Sequence, residues 1–268
     1  MSGSPFEWRF RAFGTSFALR GNNQVMLRDA VLRARSLGWT EANDDDGDVG
    51  YVVRRRKSHD PNRRWSFDVH CDGALIRRTT DRTELLDAFE DHAKIQTAYH
   101  AKDYVFVHAG VVSWRGRGIL LPGRSHTGKS MLVKALIEAG AQYFSDEFAV
   151  LDARGCVHPY ALPLSIRANG SQPAVRIPVE AFGGRIGDGP VPVNLIVVTR
   201  YDRGVRWRPR PLSGSDAFLA LMENTVAARQ PPERTMPILR QAVLTARAIH
   251  SRRGDAGAVA RAVVAQLG

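Results

Sequence analysis

The chain has 268 residues, 44% hydrophobic and 24% charged, which is enough for one large domain or two small ones with real hydrophobic cores. Its net charge of +11 at pH 7 favours anionic partners such as nucleotides, acidic peptides, nucleic acids or lipid headgroups. The two cysteines lack the spacing of a disulfide scaffold or a zinc site. The sequence contains neither an apolar run long enough to span a membrane nor a signal-peptide pattern. We therefore predict a soluble, cytoplasmic protein with no membrane partner.

Residues 1–100 have the pattern of a small α+β module. Apolar and charged residues alternate from Phe6 to Arg11, as in a half-buried strand. Asp72-Gly73 is a two-residue hairpin signal, and Asp81 followed by Glu84 predicts a helix N-terminus with a capping box. The basic run from Arg54 to Lys57 is typical either of a solvated strand end or of a patch that contacts a substrate. This module serves as a scaffold, a dimer surface or a substrate-recognition domain.

Residues 101–268 have a different pattern, with several buried-type strands. We predict a strand pair from Tyr104 to Val112 that is broken at His108-Ala109-Gly110, then a short buried strand that ends at Pro122. Two strands follow on either side of Asp146-Glu147. The later predictions are a strand at Val193–Val198 with a partner at Val205–Arg208, and helices at Ser213–Asn224, Glu233–His250 and Asp255–Leu267.

A glycine-rich segment lies between the strand at Gly118–Pro122 and a helix that ends at Gly140. It matches in full the phosphate-binding pattern G-x-x-x-x-G-K-[ST], and the strand–loop–helix order is the context that this pattern requires. The predicted binding residues are Gly123, Arg124, Ser125, His126, Thr127, Gly128, Lys129 and Ser130.

The residue types in this segment suit the phosphates of a nucleotide. The glycines allow a tight turn, so that successive N–H groups point at phosphate oxygens, and the helix that follows adds the positive end of its dipole. Lys129 is predicted to reach the β- and γ-phosphates, and the hydroxyl of Ser130 is predicted to bind Mg²⁺. The predicted ligands are therefore ATP and Mg²⁺.

Phosphoryl transfer also needs a metal clamp, a group that activates the nucleophile and positive charge for the transition state. Asp146 and Glu147 follow the strand after the loop helix, so they should return to the edge of the sheet where Lys129 lies. His108, at a strand end, either has a structural role or contacts the phosphates. Arg167, Arg200 and Arg203 are further candidates for positive charge.

The order of these segments resembles the catalytic core of the HPr kinase/phosphorylase family. The matching segments are His108–Val112, Gly128-Lys129-Ser130, Glu138-Ala139-Gly140 and Ser145-Asp146-Glu147, which together cover residues 104–152. The family shares its fold with phosphoenolpyruvate carboxykinases. The resemblance thus implies an α/β P-loop domain at residues 101–268, joined to the N-terminal α+β module.

The resemblance also implies roles for single residues. Asp146 would be the base that accepts the proton of the acceptor hydroxyl, Glu147 would bind the metal, and His108 would face the phosphates. Ala109 and Glu147 differ from the family's usual Gly and Asp, as in divergent members of the family. Some of these accompany ribosomal-peptide biosynthesis and phosphorylate a peptide serine. The family's tendency to assemble implies a homo-oligomer.

These observations predict a kinase that transfers the γ-phosphoryl group of Mg-ATP to a hydroxyl, with Asp146, His108 and Lys129 as its catalytic residues. The acceptor would be a serine of an acidic peptide or small protein, such as a ribosomal-peptide precursor. The alternative is a nucleotide-binding regulatory or assembly module without phosphoryl transfer. Nucleic-acid binding is disfavoured because no basic helix with interleaved aromatic residues is present.

Overall fold

The computed structural model describes residues 6–43, 47–59, 61–123, 127–166, 175–226 and 231–268. The chain divides into two compact units, Met1–Asp103 and Tyr104–Gly268. Each unit contains helices and a large sheet, so the predicted mixed α/β class is confirmed. Within the described ranges, no helix is both long enough and apolar enough to cross a membrane.

The first unit is a six-stranded sheet packed against two helices. Its sheet order is β3-β1-β2-β4-β5-β6, in which β2 and β4 are parallel and the other pairs are antiparallel. The elements are β1 (Phe6–Ala12), β2 (Thr15–Gly21), α1 (Gln24–Ser36), β3 (Thr40–Glu41), β4 (Val49–Lys57), β5 (Trp65–Cys71), β6 (Ala74–Thr79) and α2 (Arg82–His100).

Two local signals in this unit form the predicted hairpin and helix N-terminus, but the predicted capping box is incomplete, because the N–H of Asp81 donates to Oγ1 of Thr79 and not to Glu84. Asp72 and Gly73 both have positive φ, 47° and 82°, and join β5 to β6 as a tight hairpin. The side chain of Asp81 accepts hydrogen bonds from the backbone N–H groups of Thr83 and Glu84, and so caps α2. The carboxylate of Glu84 bonds Thr79 in the preceding strand, which ties the hairpin to the start of the helix.

The second unit contains a large mixed sheet, a two-stranded sheet and four helices in its described part. The elements up to the middle of the unit are β7 (Tyr104–Trp114), β8 (Arg117–Pro122), α3 (Lys129–Glu138), β9 (Gln142–Ser145), β10 (Phe148–Asp152), β11 (Cys156–His158), β12 (Leu164–Ile166) and β13 (Val175–Ile177). The later elements are a 3₁₀ turn (Val179–Phe182), β14 (Val191–Tyr201), β15 (Arg210–Pro211), α4 (Gly214–Met222), α5 (Pro232–Leu244), β16 (Arg247–Arg253), α6 (Ala256–Val264) and a 3₁₀ turn (Ala265–Leu267).

The large sheet has the order β11-β10-β7-β8-β14-β16-β15, and β9 pairs with β7. The strand β14 is parallel to both β8 and β16, whereas β7, β8 and β10 pair antiparallel. β11 also pairs with β14, so that five strands form a closed circuit. The carboxyl ends of β8, β14 and β16 therefore lie at one edge of the sheet, and the loop that leads to α3 leaves from this edge.

Helices cover both faces of this sheet. On one face α3 and α6 pack on alternate residues of β8 and β14, such as Ile119 and Leu195. On the other face α4 and α5 pack on the intervening residues, such as Leu120 and Ile196. Burial of both faces explains why these strands are continuously apolar in sequence.

Three predictions in this unit are wrong. The predicted break at His108-Ala109-Gly110 is absent, and residues 104–114 form one strand. Gly110 lies within this strand and lets α3 pack closely on it, since a Cβ there would lie 2.5 Å from a Val133 methyl carbon. The predicted helix at Glu233–His250 ends at Leu244, and its last residues begin β16, where Ala248 and Ile249 are buried between neighbouring strands. Residues 205–208 form no strand beside β14, whose neighbours are β8, β16 and β11.

Candidate phosphate-binding site

Strand β8, two glycines of the loop and helix α3 follow one another in the predicted order. The N–H of Gly123 donates to the carbonyl of His108 at 3.1 Å, which ties the start of the loop to β7. Gly128 has a left-handed φ of +84° and directly precedes Lys129, the first residue of α3. Three of the predicted binding residues, Arg124, Ser125 and His126, lie outside the described residues.

The second half of the loop is held by the ends of two strands. The N–H of Tyr201, the last residue of β14, donates to the carbonyl of Thr127 at 3.1 Å. The guanidinium of Arg253, the last residue of β16, donates through Nη2 to the carbonyl of Gly128 at 2.5 Å. The positive φ favours glycine here, and a Cβ on Gly128 would displace this Nη2, from which it would lie 2.7 Å.

The acidic pair lies beside the first turn of α3. Ser130 donates its hydroxyl hydrogen bond to Oδ2 of Asp146 at 2.9 Å. The backbone N–H of Ser165 donates to the same oxygen at 3.3 Å, and the hydroxyl of Tyr143 lies 3.3 Å from Oδ1. The Tyr143 hydroxyl also lies 2.7 Å from the carbonyl of Leu162, the closer of its two acceptors. The predicted proximity of the loop and the acidic pair is therefore present.

Burial is the main influence on the pKa of the Asp146 carboxyl group. Its residue surface is only 7% exposed, and desolvation raises the pKa of its carboxyl above the ordinary value. The hydrogen bonds from Ser130, Ser165 and Tyr143 act in the opposite direction, whereas the charge of Glu147 raises the pKa further. Asp146 is thus a more basic carboxylate than one in water.

Lys129 and His108 belong to the same electrostatic cluster. Burial lowers the pKa of the Lys129 ammonium, while the nearby carboxylates of Glu147 and Asp146 raise it. Burial also lowers the pKa of His108, the charge of Lys129 lowers it further, and Glu147 raises it. The four predicted side chains therefore interact with one another at one end of the sheet.

His108 is held by its neighbours on β10. It pairs in register with Phe148, and the two rings lie 4.7 Å apart between centroids. The carbonyl of Glu147 accepts a hydrogen bond from the N–H of Ala109 at 3.3 Å, which fixes the acidic pair to β7. With its pKa lowered, His108 is the neutral imidazole at pH 7.

The residues present fit a magnesium ion that the substrate helps to bind. Mg²⁺ prefers oxygen ligands and is commonly held by one or two carboxylates together with substrate phosphates. The hydroxyl of Ser130 and the carboxylates of Asp146 and Glu147 offer such oxygens. In the ranges that the structure describes, no cluster of three or more His, Cys, Asp or Glu side chains could hold a metal ion without a substrate.

No contact of the other predicted cations with the acidic pair or the loop is observed in the described part of the chain. Arg200 and Arg203 are exposed at the end of β14 and in the turn after it, and Arg167 lies outside the described residues. The run Arg54–Lys57 forms the end of β4 in the first unit, where Arg55 stacks on Trp65 with 4.3 Å from its guanidinium carbon to the ring centroid.

Sequence reasoning missed four residues that support the site. Tyr143 has a sequence signal, because it stands in the strand just before the acidic pair. The contact from Ser165 is made by its backbone, and Tyr201 and Arg253 reach the loop from strands far along the chain, so no local pattern indicates them.

Comparisons with known proteins identify no family for this chain. No family model matches it, and no curated protein matches its sequence. Among solved structures, the Hpr(Ser) kinase/phosphatase from Coxiella burnetii aligns with 60% of this chain and 94% of its own, at a TM-score of 0.35 and 15% identity. This is a remote likeness.

Proposed function

We propose that the protein is an ATP-dependent kinase that transfers the γ-phosphoryl group of Mg-ATP to a hydroxyl of a peptide or small protein. The observation that carries this proposal is the 2.9 Å hydrogen bond from Ser130 to Asp146. It joins a segment with the full phosphate-loop pattern to a buried carboxylate of raised pKa. A base is what a transferase needs in addition to a nucleotide-binding loop.

The loop and the start of α3 hold the phosphates in this proposal. Backbone N–H groups and the ammonium of Lys129 contact phosphate oxygens, and neutral His108 orients them as a hydrogen-bond partner. The hydroxyl of Ser130 and the carboxylate of Glu147 are the proposed ligands of Mg²⁺. When bound, the ion neutralises charge on the β- and γ-phosphates.

Asp146 activates the acceptor in this proposal. Its carboxylate takes the proton of the acceptor hydroxyl, whose oxygen forms a bond to the γ-phosphorus while the bond from that phosphorus to the bridging oxygen of ADP breaks. The products are ADP, a phosphorylated acceptor and protonated Asp146, which then releases its proton to water. The raised pKa of Asp146 suits this role, since a base acts best when its pKa lies near the working pH.

The proposed acceptor is a serine in an acidic segment, for which a ribosomal-peptide precursor is a suitable example. The net charge of +11 attracts an acidic acceptor through long-range electrostatics. We propose that the first unit, which contains the basic end of β4, serves as a scaffold or binds the acceptor, and that the chain forms a homo-oligomer.

The test is transfer of labelled γ-phosphate from Mg-ATP into a lysate of the source organism, with Asp146→Asn as the matched variant. We expect a labelled peptide or protein with the wild type only, and a transfer rate at least about a hundredfold lower with the variant. Nucleotide affinity, measured separately, should be retained in Asp146→Asn, which shows that the variant is folded.

Two results would contradict the proposed kinase activity. Undiminished transfer by Asp146→Asn would reject the role of this carboxylate. Nucleotide binding by the wild type without any labelled acceptor would instead favour a regulatory or assembly module that binds a nucleotide and transfers nothing.

A further inference from the structure

Arg253 is a buried cation without a carboxylate partner. Only 1% of its surface is exposed, and no carboxylate oxygen of the described chain lies within 4.0 Å of its guanidinium. Its two terminal nitrogens donate to the carbonyls of Gly128 and Gly254, at 2.5 and 3.2 Å, while its buried Nε has no hydrogen-bond partner. Such a charge is costly unless another negative group compensates it.

The contacts at the ends of β14 and β16 also fix the direction of two peptide groups. In a trans peptide the C=O of one residue and the N–H of the next point in opposite directions. The carbonyls of Thr127 and Gly128 are turned toward the Tyr201 N–H and the Arg253 guanidinium. The N–H groups of Gly128 and Lys129 therefore point together toward the opposite side.

Two successive N–H groups that point the same way form a concave anion site, and the N-terminus of a helix strengthens it. Here that site lies at the first turn of α3, a helix of ten residues. The charge of Arg253, which Asp255 and the ring of Tyr201 stabilise without a direct ion pair, lies directly behind it, bonded to the peptide group that connects Gly128 to Lys129.

We propose that Arg253 is a positioning residue for a nucleoside di- or triphosphate: it orients the Gly128–Lys129 peptide and places a positive charge behind the bound phosphates. The inference rests on the proposed function in that the anion is taken to be the nucleotide's phosphate chain. The phosphates would add negative charge near Arg253 beyond that of Asp255, so the cation would favour the bound state.

The test compares Arg253→Met with Arg252→Met in the full chain. Arg252 is the matched control, because it neighbours Arg253 in sequence but forms an exposed pair with Asp202. Affinities for ADP, a non-hydrolysable ATP analogue and inorganic tripolyphosphate are measured by calorimetry, and the stability of the free protein by urea unfolding.

We expect Arg253→Met to weaken all three ligands by a similar factor of about tenfold or more, since hydrogen bonds to charged groups have effects of this size. The stability of the free protein should change little, because the substitution removes the desolvation penalty of a buried cation together with its two hydrogen bonds. Arg252→Met should leave all these affinities unchanged. A purely structural role for Arg253 would give the reverse, namely lower stability with unchanged affinity of the folded protein, and would overturn the inference.

Arg253→Lys keeps the charge but has a single ammonium in place of the planar guanidinium. We expect an affinity between those of the wild type and Arg253→Met, and wild-type affinity in this variant would reject the orienting role. If Arg253→Met does not fold, this variant decides. A wild type that binds none of the three ligands overturns both proposals. If the ligands bind in a way that depends on Arg253 but no phosphoryl group is transferred, only the proposed kinase activity is overturned.

Discussion

Ser130 and Asp146 are linked by a 2.9 Å hydrogen bond across 16 residues of sequence. The bond connects the first turn of α3 to the turn between β9 and β10, so the two predicted motifs form one site. The donors around Asp146 come from three separate segments of the chain, at Ser130, Tyr143 and Ser165. Changes at any of them should therefore alter both the fold and the proposed chemistry.

Removal of the Lys129 ammonium should weaken nucleotide binding. We expect Lys129→Met to lower the affinity for ATP by about ten- to a hundredfold, because charged hydrogen bonds to phosphate are lost. The matched control is Lys134→Met on the same helix, where the lysine pairs with Glu138. Calorimetric titration checks this, and equal affinities of the two variants would contradict the role of Lys129.

His108 should make stability depend on pH below neutrality. Its pKa is lowered in the folded state, so the unfolded chain binds a proton first as the pH falls below 6.5. The stability that neutral His108 contributes is complete above that pH and is lost as the pH falls toward its lower folded pKa, by up to about 1.4 kcal/mol per pH unit.

Urea unfolding at pH 7.5 and 5.5 measures this effect. We expect His108→Gln to lose less stability between the two pH values than the wild type does. His250→Gln, which changes an exposed imidazole, is the control for removal of a histidine as such. A wild type and His108→Gln with the same pH dependence would disprove the prediction.

Loss of the Tyr143 hydroxyl should affect both stability and catalysis. Tyr143→Phe leaves the carbonyl of Leu162 without this donor, at a cost of about 1–2 kcal/mol in the free energy of unfolding. It also removes a contact that lowers the pKa of Asp146, so this pKa should rise. The loss of transfer activity on acidification should then occur at a higher pH than in the wild type, which a pH–rate profile measures.

Gly110 should be required for the close packing of α3 on β7. Gly110→Ala brings a Cβ within 2.5 Å of a Val133 methyl carbon, and we expect a loss of about 1–3 kcal/mol in unfolding free energy. Val133→Ala removes that methyl, so the double variant should be more stable than the sum of the single effects predicts. A double-mutant cycle by urea unfolding checks this coupling, and additive effects would contradict it.

The site was partly predictable because its central motif is local. The loop pattern requires a strand before it and a helix after it, and the acidic pair follows one strand later, so short stretches of sequence bring Lys129, Ser130 and Asp146 together. The roles of these residues stay predictions. The hairpin at Asp72-Gly73 and the cap at Asp81 were predictable for the same reason, since each depends on neighbours in sequence.

The missed features depend on distant parts of the chain. β16 has only two buried apolar residues, Ala248 and Ile249, and follows α5 after a short turn, so its pattern continues that of the helix. Its strand conformation comes from pairing with β14, which no local window contains. Arg253 looks like one of many surface arginines until that pairing places it under Gly128.

The bond from Arg253 to Gly128 spans 125 residues, in contrast to the short separation within the acidic half of the site. Contacts between distant residues form slowly in folding, because a long loop must close first. The contact behind the loop therefore forms only once β16 has joined the sheet. Because a ligand stabilises only the states that bind it, we expect the nucleotide to protect the folded unit, with β16 in place, from proteolysis.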